Sequence, residues 1–119
     1  MQINRRKSDE AYMRMAMQLA QDAADRGEVP VGAVVVAENG EVLARAYNQV
    51  EMLKDGTAHA EMIAITQAAS TLGDWRLTTA TLYVTKEPCA MCAGAMVNSR
   101  LGKLFYGCGD PRAGAAGSA

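Results

Sequence analysis

Residues 31–47 read VGAVVVAENGEVLARAY, and the architecture of the chain follows from this stretch. Val31 to Ala37 is a near-continuous run of β-branched and small apolar residues behind Pro30, and it reads as a strand. Asn39-Gly40 is the strongest short-range hairpin signal. Glu41 to Tyr47 then returns as a second strand, antiparallel to the first.

Upstream, Tyr12, Met13, Ala16, Leu19, Ala20 and Ala23 recur at the three- and four-residue steps of an amphipathic helix over Ser8 to Arg26. Ser8 can cap it, Asp9 and Glu10 suit the positive end of its dipole, and Gly27 can end it in a left-handed turn. Met13, Met15 and Met17 are expected to fill core space. Downstream, Asn48 to Gly56 reads as a polar loop. A helix is expected from near Thr57 to Leu72-Gly73, a short strand over Thr81 to Thr85, a helix with Pro88 in its first turn running to Met96 or Val97, and a strand over Lys103 to Tyr106. A small-residue tail, Gly114 to Ala119, closes the chain.

The order is α-β-β-α-β-α-β. The last three strands are joined through helices, so they should run parallel with right-handed crossovers. Helices on both faces give a three-layer α-β-α arrangement over one mixed sheet: an α/β fold, hairpin first. No repeat and no linker interrupts it, and residues 1–119 are expected to form one domain.

Half the residues are hydrophobic and 21% are charged, which excludes a disordered or collagen-like chain. The net charge of -1 and pI near 5.8 exclude a protein that grips nucleic acid by bulk positive charge. No apolar run reaches the roughly 18 residues of a membrane span, and Met1 to Glu10 is polar, unlike a secretion signal. A cytoplasmic location is the expectation.

The chemistry sits in two short stretches. His59 is the chain's one histidine, Glu61 follows two residues on, and Pro88-Cys89-Ala90-Met91-Cys92 comes thirty positions past His59. Zinc takes nitrogen and thiolate ligands tetrahedrally, and catalytic sites keep three protein ligands with water in the fourth place. Two cysteines at this spacing on a helix start can face one ion, where the helix dipole favours thiolate, and His59 is the third ligand. Zinc lowers the pKa of bound water from 15.7 to about 7. A nearby carboxylate, Glu61, can then shuttle protons, and the pair suits hydrolytic deamination of a ring carbon bearing an amine. A redox Cys-x-x-Cys and a closed structural zinc site are the alternatives. The latter needs a fourth ligand, for which Cys108 is the candidate; otherwise Cys108 is a small buried residue.

The His-x-Glu and Pro-Cys-x-x-Cys pair is the signature of the zinc nucleobase deaminases. Beyond it, Val29-Pro-Val-Gly-Ala33, Thr57 to Glu61, Asp74-Trp-Arg-Leu77, Thr81 to Thr85, Glu87 to Ala95 and Asp110 to Ser118 make the chain resemble the bacterial tRNA-specific adenosine deaminases of the cytidine deaminase superfamily. The resemblance implies one zinc per chain on His59, Cys89 and Cys92, Glu61 as proton shuttle, and conversion of a wobble adenosine to inosine. It also implies a cytidine deaminase-like fold and a homodimer acting on a tRNA anticodon loop or other single-stranded nucleic acid. Asn48 would hydrogen-bond the flipped base, Val29 and Pro30 would wall it, Ala60 would let it approach the zinc, and Asp110 would lie in a substrate-contacting loop. Arg76, Lys86, Arg100 and Arg112 are candidates for holding phosphates, and Lys86 stands where many relatives carry an apolar residue. Relatives usually continue past Gly-Ala-Ala-Gly-Ser with a strand and basic helices, so shortened C-terminal elements and an open sheet edge are expected. The same chemistry on cytosine, guanine, a free nucleoside or single-stranded DNA is the alternative, and a non-catalytic structural-zinc module is the other.

Overall fold

A computed structural model describes residues 7–107. The first helix, α1 (Asp9–Asp25), begins where Ser8 accepts a hydrogen bond from the backbone N–H of Ala11 through its hydroxyl. It ends in a Schellman turn: Gly27, at φ 75°, donates to Ala24, and the N–H of Glu28 reaches back to the carbonyl of Ala23. Tyr12, Ala16, Ala20 and Ala23 form its buried stripe. Of the three methionines, Met13 and Met15 pack against that core. Met17 is 58% exposed.

Strands β1 (Gly32–Val36) and β2 (Val42–Tyr47) form the expected antiparallel hairpin, with Gly40 at φ 93° in its turn. The stretch between β2 and the next long helix is not all loop. It holds a four-residue helix, α2 (Val50–Leu53), closed by Lys54 in the left-handed conformation. Helix α3 (Ala60–Leu72) starts three residues later than Thr57, because His59 is its extended N-cap, and Gly73 ends it at φ 75°. Strand β3 (Thr81–Val84) leads to α4 (Ala90–Asn98), and β4 (Lys103–Tyr106) completes the sheet. Pro88 does not open α4. Cys89 is its extended N-cap, so the proline stands one position before the cap.

The sheet order is β2-β1-β3-β4. β1 pairs antiparallel with both β2 and β3, and β3 pairs parallel with β4. Strands β2, β3 and β4 therefore run the same way, as expected, with β1 inserted against them. This insertion matters for function. The amino end of β1 lies beside the carboxyl ends of β2 and β3, as the pairings Gly32–Tyr47 and Ala33–Val84 show. The loop before β1 thus joins the end of the sheet where open α/β folds place their sites.

Both faces of the sheet are covered. Ala33, Val35, Leu82 and Val84 pack with Ala60, Ala64 and Ala68 of α3 and with Cys92 and Met96 of α4. Val34, Val36 and Tyr83 pack with Tyr12 and Ala16 of α1. The contact between α1 and the sheet depends on Gly32. A Cβ there would lie 2.0 Å from the carbonyl oxygen of Ala16 and 2.6 Å from the nitrogen of Ala20. Backbone cannot yield as a side-chain tip can. Overpacking a core typically costs about 1–3 kcal/mol, and Gly32→Ala is expected to lie at or above the top of that range. Its urea midpoint should fall accordingly; an unchanged midpoint would mean that α1 does not sit where the structure puts it.

Candidate metal centre and active site

The local sequence explains why three ligands meet. His59 and Cys89 are the N-caps of α3 and α4, and their side chains make no hydrogen bond to their own helix N–H groups among the described residues. Cys92 is the third residue of α4. N-cap and N3 are the two positions whose side chains meet in a capping box, so Cys-x-x-Cys in this register turns both sulfurs to one side. His59 Nδ1 lies 3.6 Å from Cys89 Sγ and 3.5 Å from Cys92 Sγ. All three ligand atoms lie within 4.8 Å of one another.

These spacings test the fit to zinc. With Zn–S of about 2.3 Å and Zn–N of about 2.0–2.1 Å, a tetrahedral angle requires N···S separations of about 3.6 Å. The residues fit the ion. Among the described residues the cluster has three members, which leaves one tetrahedral position for a non-protein ligand, as in catalytic sites. Cys108, the candidate fourth ligand, lies outside the described residues, as do Asp110 and Arg112.

Glu61 is beside the cluster and not in it. It is 4% exposed, in the first turn of α3. Burial pushes its carboxyl above the ordinary carboxylate value. Its own backbone N–H, the Cys92 thiol, and the charges of His59 and Lys86 pull it partly back. Burial, then the charges of Glu61 and Cys89, push the Cys92 thiol far up. In the absence of a cation this pocket favours protonated groups, and a dication among them reverses that preference.

The cluster opens onto a cavity of about 410 Å³. Glu28, Val29 and Val31 line it from the loop before β1; Asn48, Val50, Glu51 and Gly56 from the segment after β2; His59, Glu61, Lys86, Glu87 and Cys89 from its floor. Asn48 is buried, and its Oδ1 accepts the backbone N–H of Ala60 at 3.1 Å. That bond fixes the amide's orientation, so the group it presents elsewhere is the NH2 donor. Val29 lines the cavity. Pro30 is turned to a separate groove against Met13, Met17 and Ala20 on the α1 face. Ala60 is fully buried in the core.

The basic residues divide by topology. Lys86 lines the cavity. Arg76 and Arg100 do not approach it: they lie in the helix-to-strand connections before β3 and β4, at the opposite end of the sheet. Arg76 there pairs with Asp74 at 3.1 Å and stacks over Trp75. Sequence reasoning missed Glu28, a buried acid of the α1–β1 loop whose carboxylate oxygens accept from Glu51 and Met52 N–H at 3.0 and 2.7 Å. The only local signal was its place one residue beyond a helix-ending glycine.

A three-layer α-β-α sheet with a His/Cys/Cys cluster at two helix caps and a buried carboxylate beside it defines a zinc-dependent deaminase. The MafB19-like deaminase family matches residues 7–114. A tRNA-specific adenosine deaminase of Bacillus subtilis is 53% identical over 110 residues, covering 92% of this chain and 68% of its own. A solved structure from a study of A-to-I editing by tRNA:A34 deaminases superposes at a TM-score of 0.89 with 46% identity, covering 92% of this chain and 79% of its own. A guanine deaminase of B. subtilis superposes at 0.83 with 36% identity, covering 87% and 66%. The chain belongs to the tRNA-specific adenosine deaminase family, and it spans about two thirds of the length of the B. subtilis relative.

Proposed function

We propose that this chain hydrolyses adenosine to inosine at the wobble position of a tRNA anticodon. The observation that carries the reading is the three-ligand cluster with Glu61 buried beside it at the floor of the cavity. His59 Nδ1 and the sulfurs of Cys89 and Cys92 hold a zinc ion, which when bound supplies Lewis-acid activation of water.

The chain's own residues do the rest. Glu61 takes a proton from the water that adds at C6 of adenine and passes it to the ring nitrogen N1; it then carries the second proton from the new C6 hydroxyl to the amine, the C6–N bond breaks, and ammonia leaves. Its burial suits the role, since it raises the carboxyl above the ordinary carboxylate value and so makes it a better proton acceptor. Asn48 offers its amide NH2 to an acceptor on the base, and Val29, Val31 and Val50 exclude water around the ring. Asn48→Asp keeps an oxygen for Ala60 and replaces the donor by an acceptor. We expect kcat/KM to fall by at least about tenfold and the melting temperature to fall as well, because the new carboxyl is buried; equal kcat/KM would remove Asn48 from base recognition.

The chain works in the cytoplasm as a homodimer in this reading. Val97, 68% exposed on α4, gives the pair an apolar contact to bury, and light scattering at micromolar concentration tests it. No helix among the described residues is long and apolar enough to cross a membrane. The direct test of function is inosine formation on an anticodon stem-loop with adenosine at the wobble position, with free guanine and cytidine as controls. Turnover of guanine in place of the stem-loop would move the chain to the chemistry of the guanine deaminase it also resembles.

A further inference from the structure

The two walls of the cavity come from chain segments far apart in sequence, and Glu28 joins them. The Schellman turn that ends α1 fixes the backbone at Glu28 through its N–H bond to Ala23. The side chain then runs inward, 6% exposed, and its two carboxylate oxygens accept the N–H groups of Glu51 and Met52. Those are the second and third residues of α2, whose own N-cap Gln49 gives no side-chain bond among the described residues. A helix of four residues is too short to hold itself in water, so α2 is secured from the opposite wall. One wall supplies Val29 and Val31 to the cavity, the other Val50.

We propose that Glu28 is a positioning residue for the substrate. By capping α2 across the cavity it sets the distance between the Val29 and Val50 walls, and so the fit of the base between them. This inference rests on the reading of the chain as an RNA adenosine deaminase. The floor does not depend on Glu28: His59, Glu61, Cys89 and Cys92 are held by α3 and α4 on the sheet. Loosening the wall should therefore weaken binding and leave the chemical step intact.

Glu28→Gln is the sharp variant. Glutamine offers one acceptor oxygen to two N–H donors, and its NH2 opposes the second. The measurement is steady-state inosine formation on the anticodon stem-loop by zinc-loaded protein, with hydrogen exchange at the amides of Glu51 and Met52. KM should rise about tenfold with kcat within twofold of wild type, and exchange at both amides should quicken at least tenfold. Glu28→Asp keeps both oxygens but withdraws them by one methylene, and should shift KM and exchange in the same direction by less; it carries the test if the glutamine variant does not fold. An unchanged KM overturns the proposal. So does a raised KM with unchanged amide exchange, which would mean that Glu28 meets the substrate directly and not through α2. Wild-type protein that makes no inosine counts against the functional reading, and the exchange rates then decide alone whether Glu28 holds α2.

Discussion

Glu61→Gln is expected to keep one zinc per chain and to lower kcat by about 10²–10⁴, the usual contribution of a positioned general acid–base group. The side chains are isosteric, and the site is buried enough that shape is preserved. What is lost is the proton acceptor. Zinc should be retained because the substitution leaves the three ligands, His59, Cys89 and Cys92, unchanged. Metal content and turnover therefore part company, which a merely structural zinc module does not predict. The check is zinc per chain by atomic absorption beside single-turnover inosine formation. Turnover within tenfold of wild type would take Glu61 out of the mechanism. Loss of zinc would make it a support of the metal site.

How much of this was legible beforehand depends on how local the signal was. The hairpin is written in Asn39-Gly40, and the ends of α1 in Ser8 and Gly27, because turn and cap chemistry act over a few residues. The metal ligands were legible for the same reason, since N-cap and N3 positions are fixed by one helix turn. Strand order was not. Nothing local in Gly32–Val36 says that β3 adds beside β1 and not beside β2, because that depends on where the crossover through α3 comes down. Arg76 and Arg100 looked available to the site until the topology put them at the far end. Glu28 carries no local mark of its role, because its partners lie 23 and 24 residues away in a helical turn hidden inside a polar segment. Pro88 was ambiguous on its own terms: proline suits the position before a cap as well as the first turn, and only the extended backbone of Cys89 decides.

Removing the zinc should have the other large effect, and its dependence on pH carries a definite sign. A chelator is expected to abolish inosine formation, zinc to restore it, and the melting temperature to fall by several degrees. Bound metal stabilises the native state by about 2.7 kcal/mol when free ligand stands at a hundred times its dissociation constant. In the metal-free protein Cys92 is pushed above its ordinary value of 9.0, first by burial. The native state then keeps a proton that the unfolded chain releases as the pH rises past about 9. Stability of the metal-free form should therefore be insensitive to this group below that pH and fall above it. With zinc bound the sign reverses. Cys92 is a thiolate in the native state and protonated in the unfolded one, so stability rises with pH up to about 9, and metal is lost as the pH falls. Urea melts of both forms from pH 7 to 10 test this directly. Parallel profiles for the two forms would mean that the Cys92 sulfur does not ligate the ion, and the three-ligand site would have to be abandoned.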